Sequence, residues 1–202
     1  MVDFTKQIDD YYEREIEAIR RLDRGELNAA MNCLLDHYES ESAVYVFGNG
    51  GSSATASHMV CDFNKGVSLN LRKKFRFACL NDNVPSLMAV ANDLSFEDVF
   101  FSQLDGRLRK EDLVLAISGS GNSRNVVKAV EYARGIGSQV IGMTGYDGGR
   151  LARLSDFQLH VPADDMQIAE DLHMGFDHMI MQILWRYLEE KEGRAPVYKI
   201  NK

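Results

Sequence analysis

Apolar residues in the first forty positions recur at helical spacing. Gly25 interrupts this pattern, which continues from Leu27 to about Ser40, so the sequence predicts two helices. The apolar positions of the first helix are Phe4, Ile8, Tyr11, Tyr12, Ile16, Ile19 and Leu22. This row of apolar residues is longer than is needed to cover one face of a small α/β sheet. Two interpretations stay open, since the helices could pack on their own domain or against another subunit.

From residue 43 onward, short apolar runs alternate with helical stretches. The predicted strands span 43–47, 75–80, 113–117, 139–143 and 157–161. The predicted helices span 53–63, 85–91, 96–108, 125–134 and 168–190. This alternation is typical of a parallel sheet with helices on both faces. The predicted fold is therefore α/β, a doubly wound five-stranded parallel sheet, with a helical arm (1–40), a sheet domain (41–192) and a tail (193–202).

Composition and charge exclude several classes of protein. The 202 residues, 45% of them hydrophobic, are enough for a full core, which excludes collagenous and disordered classes. A net charge of −7 argues against nucleic acid as a partner, because phosphate backbones bind basic faces. We expect no membrane partner and a cytoplasmic location, because no apolar run has the length of a membrane span. The three cysteines lack CxxC spacing and are interpreted as core or near-core residues.

Two loops rich in glycine and hydroxyl groups follow predicted strands. One reads GNGGS at 48–52 and the other SGSGNS at 118–123. Open parallel sheets bind ligands at the carboxyl ends of their strands. Glycines there let backbone N–H groups converge on an anion at the N-terminus of the next helix. Neither loop fits the GxxxxGK[ST] or GxGxxG pattern, so the pair predicts a phosphate monoester site instead of a nucleotide site.

Several titratable residues lie on the helix after the first loop and on the last helix. They are His58, Asp62, Glu170, His173, Asp177 and His178. His58 and Asp62 are four residues apart and share a helix face. Spacing alone leaves three interpretations for them, namely a surface ion pair, half of a metal site, or an acid–base pair. If Glu170 and His178 converge on the same place, two imidazoles and two carboxylates suit zinc, nickel or iron(II) better than magnesium.

The same groups could instead transfer protons without a metal. A carboxylate that takes a proton from a carbon alpha to a carbonyl, with an imidazole serving the oxygens, would perform aldose–ketose isomerisation. Asn92 and Asp93 would then bind sugar hydroxyls, or else would form only a helix cap and turn. His37 and His160 are interpreted as structural.

These motifs together resemble the SIS (sugar isomerase) domain family, in particular its phosphoheptose isomerase branch. The resemblance runs from about Val44 to the end of the last helix and rests on FGNGGS at 47–52, AND at 91–93, SGSGNS at 118–123 and TGYDGG at 144–149. It implies a flavodoxin-like three-layer sandwich and a homotetramer with shared active sites. The implied reaction converts sedoheptulose 7-phosphate to D-glycero-D-manno-heptose 7-phosphate through an enediol, often with zinc bound, for surface-glycan heptose synthesis.

The resemblance also implies roles for individual residues. The implied substrate-binding residues are Asn49, Gly50, Gly51, Ser52, Asn92, Asp93, Ser118, Gly119, Ser120 and Ser123. The implied metal ligands are His58, Asp62, Glu170 and His178. The implied catalytic residues are Asp62, Glu170 and His178, of which His178 is the imidazole of proton transfer.

Two positions depart from the family pattern. Asp62 stands where the family has glutamate, and Glu170 stands where it has glutamine. An aspartate carboxylate is retracted by about one C–C bond, and a misplacement of about 1 Å can cost about 100-fold in rate. The longer Glu170 would compensate if the base moved from one helix to the other. Either Asp62 or Glu170 is therefore the expected base.

Two other functions stay open at this point. Relatives with this fold include phosphosugar-binding proteins that act through protein partners, such as a replication-initiator-associating protein. A pure binding module, however, has no need of four converging polar ligands. The second alternative is an isomerase of a different sugar phosphate.

Overall fold

The computed structural model describes residues 1–193, so the predicted tail lies outside the described residues apart from Gly193. Its centre is a sheet of five parallel strands in the order β2-β1-β3-β4-β5. The strands are β1 (Ala43–Gly48), β2 (Arg76–Cys79), β3 (Leu113–Ser118), β4 (Gln139–Thr144) and β5 (Phe157–His160). This arrangement confirms the predicted doubly wound sheet, since all five strands lie within or close to the predicted ranges.

Helices cover both faces of the sheet and form three layers. They are α1 (Thr5–Arg21), α2 (Arg24–Ser40), α3 (Gly51–Cys61), α4 (Val84–Asp93), α5 (Phe101–Leu104), α6 (Arg124–Ile136), α7 (Gly149–Leu154) and α8 (Met166–Lys191). One face packs against α2, α3 and α8, and the other against α5, α6 and α7. The central strand β3 is buried along its whole length, with Leu115 on the first face and Val114 on the second. Burial on both faces explains its continuous apolar sequence.

The two N-terminal helices differ in their packing. In α2, Leu27, Leu34 and Tyr38 belong to the core cluster on the first face. In α1 only Ala18 is buried, and the helix lies on α8, where its Tyr11 hydroxyl donates to Asp171 at 2.5 Å. The second half of the predicted arm is thus part of the sheet domain's core, whereas α1 is an outer layer.

The predicted helix over 96–108 is wrong. The chain there forms a 3₁₀ turn, Phe96–Asp98, and the short helix α5, and it reverses at Gly106 with φ +70°. Phe100, Leu104 and Leu108 are buried at helical spacing, so the apolar pattern was real but the backbone turns between them. The sequence pattern did not predict α7, which is only six residues long and starts at Gly149 (φ +55°), directly after Gly148 (φ +78°).

Helix α3 continues directly into a π-helical segment, Asp62–Val67. The backbone N–H of Ser68 donates to the carbonyl of Phe63 at 3.3 Å, five residues back. π-Helical turns occur frequently at functional sites because they change which way the side chains point. The change begins at Asp62, one of the candidate site residues.

Two histidines are structural, as predicted. His37 is buried and its ring nitrogens lie 2.6 Å from Ser42 Oγ and 3.1 Å from Gln139 Oε1. His160 Nδ1 lies 2.9 Å from Thr144 Oγ1. Within residues 1–193, no helix combines the length and the apolar character needed to cross a membrane.

Candidate active site

The two glycine loops lie side by side, at the carboxyl ends of the neighbouring strands β1 and β3. A Cβ on Gly48 would lie 2.6 Å from Ser52 Cβ and 2.8 Å from the carbonyl oxygen of Ile117, so only glycine fits this approach. Gly50 has φ +55° and faces open space, which leaves room beside the N-terminus of α3.

Three asparagines hold the first loop in place. Asn49 and Asn125 exchange two amide hydrogen bonds, of 2.9 and 2.8 Å, which tie the first loop to the start of α6. Asn81, just after β2, bonds both backbone groups of Gly48, at 3.2 and 2.9 Å. The sequence prediction named Asn49 as a substrate contact but missed Asn81 and Asn125. Their positions after a strand and in the first turn of a helix were the available signals.

The second loop is held by its own hydroxyls and by the segment 145–151, which includes the start of α7. Ser118 Oγ donates to Ser123 Oγ at 3.1 Å, and Ser120 Oγ accepts from the backbone N–H of Asn122 at 3.3 Å. Gly145 N–H donates to the Gly119 carbonyl at 2.8 Å. These bonds set serine hydroxyls beside the N-terminus of α6, where the helix dipole favours an anion.

Four side chains from α3, its π-helical extension and α8 converge about two turns along α3 from the first loop, since His58 is seven residues (~10 Å) beyond Gly51. They are His58, Asp62, Asp177 and His178, and one potential ligand atom from each lies within 4.8 Å of the others. His58 Nε2 lies 3.1 Å from His178 Nε2 and 3.5 Å from Asp62 Oδ2. Three of the four predicted ligands therefore meet, and the fourth member is Asp177.

Asp177 is the buried member of this cluster. It has no solvent exposure, and neither carboxylate oxygen has a hydrogen-bond partner. Burial, and secondarily the nearby Asp62 carboxylate, raises the pKa of Asp177 to about 8. The side chains of His58 and Asp62 are 44% and 15% exposed, so the cluster lies at the boundary between core and solvent.

The cluster fits a divalent metal ion. At zinc–ligand distances of 2.0–2.1 Å, two ligands of a tetrahedral site are about 3.3 Å apart. The distances of 3.1 and 3.5 Å between the His58, His178 and Asp62 ligand atoms lie on either side of that value. Imidazole and carboxylate are a donor set that zinc, nickel and iron(II) accept. The unpartnered oxygens of Asp177 are also of the kind that a cation satisfies.

Glu170 lies outside the four-residue cluster. Its carboxylate packs so closely on Gly51 that a Cβ at residue 51 would overlap it. Glu170 thus faces the first loop at the N-terminus of α3, and its role as a metal ligand or base stays a prediction.

Asn92 and Asp93 lie in the last turn of α4. Both are exposed, and the Asn92 amide donates to the Asp93 carboxylate at 2.8 Å. Within residues 1–193 neither forms a hydrogen bond to the cluster, and their binding of sugar hydroxyls also stays a prediction.

A family model described as the SIS domain matches residues 8–145, more than half of the sequence. The chain belongs to the SIS domain family. This match includes both glycine loops, His58 and Asp62, whereas the site residues of α8 lie beyond it.

Several relatives of this SIS protein are named for one enzyme. The phosphoheptose isomerase of Helicobacter pylori strain P12 is 31% identical over 179 residues, which are 89% of this chain and 91% of that protein. A probable phosphoheptose isomerase of Thermoplasma volcanium is 32% identical over 180 residues, with the same two coverages. The structure of a phosphoheptose isomerase from Francisella tularensis matches with a TM-score of 0.84 and 26% identity, covering 92% of this chain and 100% of that one.

Proposed function

We propose that this SIS protein is a phosphoheptose isomerase, which interconverts sedoheptulose 7-phosphate and D-glycero-D-manno-heptose 7-phosphate through an enediol. The observation that supports it best is the convergence of His58, Asp62 and His178 in a chain that also has two glycine–serine loops at the carboxyl ends of neighbouring strands. The phosphoheptose isomerases among its relatives match it over about nine-tenths of both chains. A phosphosugar-binding protein without turnover would have no use for such a cluster.

The phosphate would bind at the second loop. Ser120, Ser123 and the first backbone N–H groups of α6 offer neutral donors around one point. The net charge of −7 does not oppose this, because the global field is screened beyond roughly 8–10 Å while loop dipoles act at contact distance. Asn49 would orient the first loop, with Gly50 leaving space for the sugar.

The proton transfers would take place at the cluster. Asp62 is the proposed base for the carbon-bound proton, with Glu170 as the alternative, and His178 is the proposed acid–base partner for the oxygens. His58, Asp62 and His178 would hold a divalent metal ion, with zinc as the expected ion. Such an ion, when bound, would stabilise negative charge on the substrate oxygens.

We also propose that the protein assembles into a homotetramer with active sites at subunit contacts. The support is a stripe of exposed apolar residues along α1, namely Phe4, Ile8, Tyr12, Ile16 and Ile19, which are 38–59% exposed. Such a continuous apolar face is typical of an interface. Replacing Ile8 and Ile16 together by glutamate should dissociate the assembly, measured by light scattering. An unchanged mass would contradict the role of α1.

The function is tested by a turnover assay on sedoheptulose 7-phosphate with the protein as purified, after chelation and after zinc is restored. We expect turnover that falls on chelation and returns with zinc. Turnover that is unaffected by the chelator would support the isomerase activity and contradict a requirement for a metal ion. Absence of turnover in all three states, with phosphosugar binding intact, would contradict the proposed function.

Two variants connect the assay to the site. Replacing Ser120 and Ser123 together by alanine should weaken substrate binding at least about tenfold, because each hydrogen bond to a charged group contributes about 1.5–3 kcal/mol. Ser40→Ala, at the opposite edge of the sheet, is the matched control. His178→Ala should lower kcat by about 10²–10⁴-fold without changing the fold. Wild-type substrate affinity of the double serine variant, measured by calorimetry, would contradict the phosphate-binding role of Ser120 and Ser123. A wild-type kcat of His178→Ala would contradict the role of His178 in proton transfer.

A further inference from the structure

Asp177 is an exception among the buried carboxylates of residues 1–193. It is the one acidic side chain there whose buried oxygens lack any hydrogen-bond partner. Asp112, which is also buried, accepts from the backbone N–H groups of Ala43 at 3.0 Å and Arg109 at 2.9 Å. A buried carboxylate without donors is strongly unfavourable as the anion, so the folded protein must either keep it protonated or place a cation beside it.

The neighbours of Asp177 indicate what compensates it. The nearest functional groups are the imidazoles of His58 and His178 and the carboxylate of Asp62, each with a potential ligand atom within 4.8 Å of one from Asp177. Two carboxylates this close repel each other unless one is protonated or a cation lies between them. Asp177 and His178 are consecutive in α8, the first buried and the second exposed, so that together they approach the cluster from its inner and outer sides.

Glu170 is in a different environment. Its carboxylate lies against Gly51, at the N-terminus of α3, where backbone N–H groups and the helix dipole favour a negative charge. That position is on the side of the glycine loop, away from the two-histidine cluster. The charge of Glu170 therefore has a local source of stabilisation, which Asp177 lacks.

We propose that Asp177 is the fourth protein ligand of the metal site, with His58, Asp62 and His178, and that Glu170 acts on the substrate side at the first glycine loop. This inference rests on the proposed metal-assisted function. It assigns the metal two imidazoles and two carboxylates, and it explains both the unpartnered oxygens of Asp177 and the glycine at residue 51.

The test is direct measurement of zinc binding, by competition with a chromogenic chelator and by metal content after dialysis. Asp177→Asn should weaken zinc binding at least about tenfold, because even residues that only orient ligands cost 10–100-fold when removed. Glu170→Gln should stay within about threefold of the wild type. Glu190→Gln, an exposed carboxylate on the same helix, is the matched control for the loss of one negative charge.

A second readout is the zinc-induced rise in the thermal midpoint, which grows with ligand concentration relative to Kd. The rise should be large for the wild type and Glu170→Gln and small for Asp177→Asn. Circular dichroism would verify folding, and Asp177→Ser gives the same test if the asparagine variant does not fold. Wild-type zinc affinity in Asp177→Asn, or a tenfold loss in Glu170→Gln, would overturn the proposal. A wild-type protein that binds no zinc would overturn it too, while the turnover assay would still decide the isomerase function separately.

Discussion

His173 makes the stability of this fold depend on pH in a way that can be calculated. It lies on the buried face of α8, is 1% exposed, and its Nε2 lies 3.1 Å from the carbonyl oxygen of Thr144. Its Nδ1 is buried without a partner, so a proton there would have no acceptor. Burial accordingly lowers the pKa of His173 from 6.5 to about 4.

The direction in which the free energy of unfolding changes with pH follows from the number of protons that each state binds. Between pH 4 and 6.5 the unfolded chain holds a proton on this imidazole and the folded chain does not, so the free energy of unfolding rises with pH in that window. A shift of 2.5 pKa units corresponds to about 3 kcal/mol in total. About 2 kcal/mol of this should appear between pH 5 and pH 7, because the folded group is still largely neutral at pH 5.

The assay is urea unfolding at pH 5, 6, 7 and 8, at a fixed protein concentration, of the wild type and of His173→Gln. Glutamine keeps an N–H donor for Thr144 but cannot be protonated. The comparison is necessary because Asp177, whose pKa is raised to about 8, acts in the opposite direction in metal-free protein. Its contribution falls as pH rises from about 4 to 8, and it is present in both proteins, so it cancels in the difference.

The difference in unfolding free energy, wild type minus variant, should therefore increase by about 2 kcal/mol from pH 5 to pH 7 and then level off. A difference that is constant with pH would refute the assignment of His173 as a buried neutral imidazole. A difference that decreases with pH would show that the charged form is the one that the fold stabilises.

Two further predictions concern the thiols and the link between the loops. Cys61 is exposed, so the interpretation of it as a core or near-core residue is wrong, whereas burial raises the pKa of Cys33 and of Cys79 to about 12. Ellman's reagent at pH 8 should therefore label one thiol quickly in the native chain and three after unfolding. Rapid labelling of three thiols in the native protein would contradict the buried positions. Asn125→Ala should cost about 1–3 kcal/mol of stability and raise KM, because it leaves the Asn49 amide without its partner. Unfolding and kinetic measurements that match the wild type would show that the loops hold their positions without this pair.

The sequence predicted the parts of the molecule that depend on local patterns. Each buried strand is a short apolar run, and each glycine loop directly follows one of them, so the sheet and the candidate anion-binding loops could be located from the sequence. His58 and Asp62 could be paired for a similar reason, since a spacing of four residues puts both on one face of α3 and its extension.

The rest depends on contacts that spacing does not encode. Asp177 lies on the buried face of α8. Its spacing in the sequence does not show that this face packs against α3 and its extension, where His58 and Asp62 lie. The exchange of amide bonds between Asn49 and Asn125 joins residues 76 positions apart. The prediction of one helix over 96–108 was wrong because a 3₁₀ turn and the short helix α5, joined by turns, bury apolar residues at the same spacing as a helix would.

The backbone around residue 62 bears on how an aspartate can act where the family resemblance implies the longer glutamate. The family resemblance implies a glutamate at this position, and an aspartate is one methylene shorter. In this chain Asp62 is the first residue of the π-helical segment, and its carboxylate still reaches within 3.5 Å of His58 Nε2. Asp177 brings a second carboxylate from α8 to the same cluster, while Glu170 is turned toward Gly51. In the proposed ligand set the second carboxylate therefore comes from Asp177, one turn or more along α8 from the residue 170 that the family resemblance implies.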